Sequence, residues 1–275
     1  MEFKQFAKSA IWGLISGLYV SIAYVFPLGE IERKPMDIIV YDMSGAKGDF
    51  FMSIGMFSLV EYSILMLPST FFAILIGKQI YQYYCVGSIY FLSRCLSRKK
   101  LFFWGEISMA SQQFLFQVFL AASVVTIGVL RQKVIVTSVG LLLMMLHIVL
   151  QFFWNCLISN IFSILSINKG GNVAFITVMV IYFLSLTSLN LLSIKDLIPQ
   201  TITYIIIHLN PFAHNILNWQ SIPFTTGLKG IRPLEMSIVE SVIYYLLLCI
   251  VVMIIHYITV MRKDIIMLDM ETEMI

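Results

Sequence analysis

The chain has 275 residues, 59% of them hydrophobic and only 12% charged, with a mean hydropathy of +0.90. Soluble globular proteins carry about 25% charged residues, so a single water-soluble core is excluded and lipid is the expected solvent. The net charge of +3 is too small to argue for nucleic acid; charge bears instead on orientation across a bilayer.

A hydrocarbon layer about 30 Å thick needs about 20 apolar residues in a helix. Six stretches qualify: about 10–27, 51–76, 107–130, 134–158, 173–193 and 238–260. The expected fold is therefore an all-α integral membrane protein forming one transmembrane domain. The first run is too long for a cleavable signal peptide and is followed by no good small-residue cleavage site. Gly170 and Gly171 mark a tight turn between the fourth and fifth spans. Between the fifth and sixth, Pro199, Pro211, Pro223 and Pro233 forbid one continuous helix. Leu197–Leu209 is apolar but too short to cross, and reads as a re-entrant or interfacial helix, so short broken helices are expected on the outer side. Cys85, Cys95, Cys156 and Cys249 form no CxxC pair and read as reduced, buried small residues.

Lys and Arg near span ends set orientation. With both termini in the cytosol, Lys4, Lys8, Lys78, Arg94, Arg98, Lys99, Lys100, Lys169, Arg262 and Lys263 lie inside. The outer loops are longer and more dilute in positive charge, and 28–50 also carries Glu30, Glu32, Asp37, Asp42 and Asp49. Arg131 and Lys133, in a short outer hairpin, run against the rule. The expected location is the plasma membrane.

The segment GSIYFLSRCLSRKKLFF, Gly87–Phe103, is a basic interruption between the second and third spans. Wound as a helix, Ile89, Leu92 and Leu96 share one face while Arg94 and Arg98 share another. Amphipathicity alone fits an ordinary interfacial helix. The order of residues adds to this: Gly87-Ser88, an apolar stretch, Leu92-Ser93-Arg94, then Leu96-Ser97-Arg98. It resembles the first cytoplasmic loop of type-2 ABC exporter permeases, with Cys95 where that family often has Pro, and Tyr83, Tyr84 and Cys85 where it has an acidic residue. Leu209-Asn210-Pro211-Phe212 resembles the family's Pro-containing outer loop, and Met261-Arg262-Lys263-Asp264-Ile265 its closing basic-basic-Asp element. The resemblance implies a coupling helix between spans 2 and 3, with Gly87, Leu92, Ser93, Arg94, Leu96, Ser97 and Arg98 docking on a cytosolic ATPase. It also implies a second permease copy or a related permease as partner, with ATP and Mg held by the ATPase. No GxxxxGK[ST] sequence occurs in this chain, in keeping with ATP being bound elsewhere.

Several polar residues fall inside the spans. Glu61 either lines a translocation path or lies shallower and snorkels; a central carboxylate costs about 2.5–3.5 kcal/mol on an insertion scale. Gln113 and Gln117 share a face of the third span, and His147, Gln151 and Asn155 recur every four residues in the fourth. Such rows hydrogen-bond neighbouring helices or wet a cavity. Glu61, Gln113, Gln117, His147 and Gln151 are the path candidates. Asn190, Glu240 and His256 stand singly, and no ligand set for a metal is evident. An ATP-driven export permease for a peptide, antibiotic or other amphipathic cargo is the leading expectation. An ion- or proton-coupled secondary transporter and, further off, an intramembrane enzyme are the alternatives, the latter without EExxxR, HExxH or DDxxD.

Overall fold

The computed structural model describes residues 2–25, 33–44, 56–92, 97–189, 200–217, 220–222 and 236–262. These are overwhelmingly helical: α1 (Glu2–Tyr24), α2 (Met36–Met43), α3 (Met56–Leu92), α4 (Arg98–Leu130), α5 (Ser138–Lys169), α6 (Gly171–Ser188), α7 (Gln200–Leu209), α8 (Pro211–Asn215) and α9 (Ile238–Arg262). Six of them, α1, α3, α4, α5, α6 and α9, are long and apolar enough to cross a membrane. Their outward faces carry Ile11, Ile15 and Ile22 on α1, Ile176 and Leu184 on α6, and Leu247, Val251 and Ile254 on α9, all exposed. In water such surfaces would aggregate; against lipid they have nothing to hide from, and the chain is a multi-pass membrane protein.

The termini of the helices follow local chemistry. The Ser97 hydroxyl accepts from the Lys100 amide at 3.3 Å and caps α4. Thr137 does the same for α5 through the Gly140 amide at 3.0 Å. The expected start of that span at Val134 is displaced to Ser138 because Val134–Ile135 (β2) pair in parallel with Lys34–Pro35 (β1). A second two-residue pairing joins Gln220–Ser221 (β3) to Met236–Ser237 (β4). Gly170, at φ +87°, turns α5 into α6 as the paired glycines predict. Asn210 caps α8, accepting from the Phe212 amide at 2.8 Å, and Pro211 fills the first helical position, where no amide donor is needed. The short helices expected between the fifth and sixth spans are present as α7 and α8. The helix α2, between the first and second spans, was not expected; its Met36 and Val40 are buried in the core around α5.

α5 is the central helix, with α3, α9, α6, α4 and α2 packed around it. α1 stands outside this ring and packs chiefly on α4. That interface is a small-residue stripe: Ser9, Gly13, Gly17 and Ser21 at four-residue spacing let the backbones approach closely. Gly77 of α3 allows a similar approach to Ser159 and Phe162 of α5.

Candidate functional site

Gly87–Leu92 are the last turns of α3, and Ser97 and Arg98 open α4. Ser93, Arg94, Cys95 and Leu96 lie outside the described residues. At 1.5 Å per residue, α3 with 37 residues is about 55 Å long and α4 with 33 about 50 Å. Both exceed a hydrocarbon layer of about 30 Å. Across the bundle, the Arg98 guanidinium donates to the Met261 carbonyl at 3.4 Å and ties the start of α4 to the end of α9.

Four of the five path candidates come together inside this chain's own bundle. The Gln117 amide donates to Ser69 Oγ at 2.8 Å, joining α4 to α3. Gln113 donates to Ser159 Oγ at 2.7 Å, and that hydroxyl donates to the Ala73 carbonyl at 2.8 Å, so one relay crosses α4, α5 and α3. The Gln151 amide meets the Met66 sulfur at 2.9 Å. His147, 2% exposed, has no hydrogen-bond partner at either ring nitrogen. Glu61 lies in the second turn of α3, and its side chain is outside the described residues. The expected row on α5 is longer than the three residues singled out in the sequence. His147, Gln151, Asn155, Ser159 and Ser163 continue at four-residue spacing for about 24 Å, each step winding about 40° round the helix, and all five are buried.

The Ser163 end of this row meets a cluster that sequence reading missed. His256, read there as a singleton, is fully buried on α9. Its Nδ1 is 2.6 Å from Asn160 Oδ1 and its Nε2 is 3.0 Å from Ser163 Oγ. Asn160 Nδ2 donates to the Cys156 carbonyl at 3.1 Å, which turns its amide oxygen toward His256. The imidazole therefore carries its hydrogen on Nδ1. Glu106, about nine-tenths buried on α4, places Oε1 2.9 Å from that same Nδ1, yet the oxygen accepts no aligned hydrogen bond. The Tyr84 ring of α3 stands edge-on to the His256 ring at 5.5 Å, and Phe102 of α4 does so at 5.4 Å. Two signals were available in the sequence: Glu106 precedes Gln113 and Gln117 by whole turns of one α4 face, and Asn160 and Ser163 extend the α5 row.

Between α6 and α8, Asn210 Nδ2 donates to the Ser185 carbonyl at 2.7 Å and to Ser188 Oγ at 2.8 Å. Phe212 inserts between Trp154 and Tyr182, with ring centroids at 4.6 and 5.2 Å. Asn210 and Phe212, both buried, thus fasten α8 to α5 and α6. Among the described residues, no group of three His, Cys, Asp or Glu side chains is placed to hold a metal ion. The chain matches no protein-family model, no curated protein and no solved structure.

Proposed function

We propose that this chain is the membrane permease of an ATP-driven exporter, working with a separate cytosolic ATPase and paired with a second copy of itself or a related permease. The observation that carries the reading is the length of α3 and α4, both greater than a hydrocarbon layer of about 30 Å, with Arg98, Lys99 and Lys100 at the start of α4. The likeness of 87–98 to the coupling loop of type-2 ABC permeases assigns that end to the cytosol, where it receives force.

The mechanism follows from what the end of α4 touches. A push on 93–98 acts on α4 at its cap. Arg98 passes it to the last turn of α9, and Glu106 meets His256 two turns further in. The shift of α4 carries through these two contacts to α9, opening a path for an amphipathic cargo at the face where two permeases meet. The driving free energy is the difference in ATP affinity between the partner's two states, since a ligand bound equally by both shifts nothing.

The test is purification of the tagged chain from its native membrane. An ATPase bearing GxxxxGK[ST] should co-purify, and Arg94→Glu should weaken that association and uncouple ATP turnover from transport. Recovery of no such ATPase, or an Arg94→Glu chain with association and coupled turnover unchanged, overturns the reading.

A further inference from the structure

We propose that α2 is a plug that closes the polar row of α5, and that its withdrawal admits water to His147 and, beyond it, to Gln151 and Asn155. The seat of the plug is Gly140. A Cβ there would stand 2.7 Å from the Met36 Cβ and 2.8 Å from the Asp37 amide nitrogen, so α2 begins against bare α5 backbone. Only Ser138 and Val139 of α5 precede Gly140. The rest of α2, which is about 12 Å long, therefore lies along the turns that lead to His147. That residue is about two turns on from Gly140 on the same face, with Leu143 and Met144 buried between them. Met36, Ile39, Val40, Met43 and Ser44 of α2 are all buried. Met36 and Val40 join the core around α5, while Ile39 and Met43 join the second core with Val20 of α1, Leu65 of α3 and Leu120 of α4. Eight residues are too few to cross a bilayer, yet these are buried as fully as the spans around them.

Two opposed free energies act on the plug. With α2 seated, both ring nitrogens of His147, Oε1 of Gln151 and both side-chain polar atoms of Asn155 are buried without a hydrogen-bond partner. Each such atom is costly, and lipid offers no partner in exchange. Water entering the space that α2 vacates supplies one, which favours opening. Withdrawal also uncovers the apolar side chains of α2, which favours closure. Polar ties hold the near end of α2 to the α4–α5 turn. The Thr137 hydroxyl donates to Asp37 Oδ1 at 3.3 Å, the Lys34 amide donates to the Lys133 carbonyl at 2.9 Å, and the Arg33 guanidinium donates to Gln132 Oε1 at 3.1 Å. α2 pivots about these ties, and no spanning helix has to break for it to leave.

The plug does not depend on the export reading, and its test needs no ATPase. In the full-length chain in lipid vesicles, with the native cysteines replaced, His147→Cys and Asn155→Cys serve in turn as reporters. Each removes only polar atoms that have no partner, so neither breaks a hydrogen bond. Labelling by a small charged methanethiosulfonate is read as the mass gained by the reporter peptide. Asp37→Cys with Thr137→Cys, whose side chains already meet, allows α2 to be fastened to α5 by a disulfide. Oxidising that pair should slow reporter labelling severalfold, and reducing it should restore the rate. Gly140→Ala, which pushes α2 off its seat, should speed labelling severalfold. Gly13→Ala is the matched control: its added carbon would stand 2.6 Å from the Phe116 carbonyl oxygen, overpacking α1 against α4 instead, and the rate should not change. If Gly140→Ala does not fold, the oxidised and reduced forms of one chain decide the matter alone. Reporters that stay unlabelled in the reduced chain, equal rates in the oxidised and reduced chains, or a folded Gly140→Ala chain that labels no faster than Gly13→Ala overturns the proposal.

Discussion

A Cβ at Gly17 would stand 2.5 Å from the Ser123 Cβ and 2.6 Å from the Leu120 carbonyl oxygen, and one at Gly13 would stand 2.6 Å from the Phe116 carbonyl oxygen. Backbone atoms cannot step aside as a flexible side chain can, so α1 and α4 must separate to admit even alanine. Gly17→Ala should cost about 1–3 kcal/mol, the usual range for overpacking, seen as a lowered thermal midpoint in detergent. Gly171→Ala is the matched control: nothing lies within 4 Å of its added carbon, and its midpoint should be unchanged or slightly raised. His214 gives a second test at this scale. It lies outside the spans, 3% exposed, with Nε2 donating to the His208 carbonyl at 2.9 Å and Nδ1 3.0 Å from Ser241 Oγ. Burial, ahead of its hydrogen bond to His208 and the charges nearby, holds its pKa below the ordinary value near 6.5. The unfolded chain then binds the proton more readily. The stability His214 contributes is complete above about pH 6.5 and is lost as pH falls through the lowered folded value. The thermal midpoint should decline on acidification over that window, and His214→Gln should flatten the decline.

At the scale of elements, apolar length predicted all six crossing helices, because lipid demands continuous runs and polar punctuation separates them. Their ends were less legible. α4 begins nine residues before the expected Ile107, at Arg98, because a helix continues through polar residues wherever a cap such as Ser97 is supplied. α5 begins late because two residues of its expected start are engaged in a strand pairing formed with a distant loop. α2 was hidden because its eight residues are too few to register as a span. Asn210 shows the opposite case, in which a short motif carries structure that can be checked. Asn210→Ala removes the cap of α8 together with two hydrogen bonds to α6. The loss should reach about 2–3 kcal/mol, above the ~1 kcal/mol of a cap alone, read as faster proteolysis between α6 and α9.

For the whole molecule, the charge asymmetry and the long α3–α4 pair make one joint prediction about sidedness. In a background lacking the four native cysteines, Lys99→Cys should react with a membrane-impermeant maleimide only from the cytosolic side. Gln132→Cys, in the exposed turn after α4, should react only from the opposite side. Labelling of both from one side would require α4 not to cross. The polar interior was legible only in part. His147, Gln151 and Asn155 announce themselves by spacing on one helix, but the Glu106–His256 contact joins α4 to α9, and no periodicity within either helix encodes it. Packing alone brings those two residues together.

The stripe Ser9, Gly13, Gly17, Ser21 also bears on how the chain is made. α1 leaves the ribosome well before its principal neighbour, α4, which follows only after α3 has been synthesised. Until then α1 sits in the bilayer with a groove of bare backbone and no mate, open to foreign helices and to quality-control proteases. A chain stopped after α3 should therefore be cleared quickly, and supplying α4 onward as a second polypeptide should prolong its lifetime.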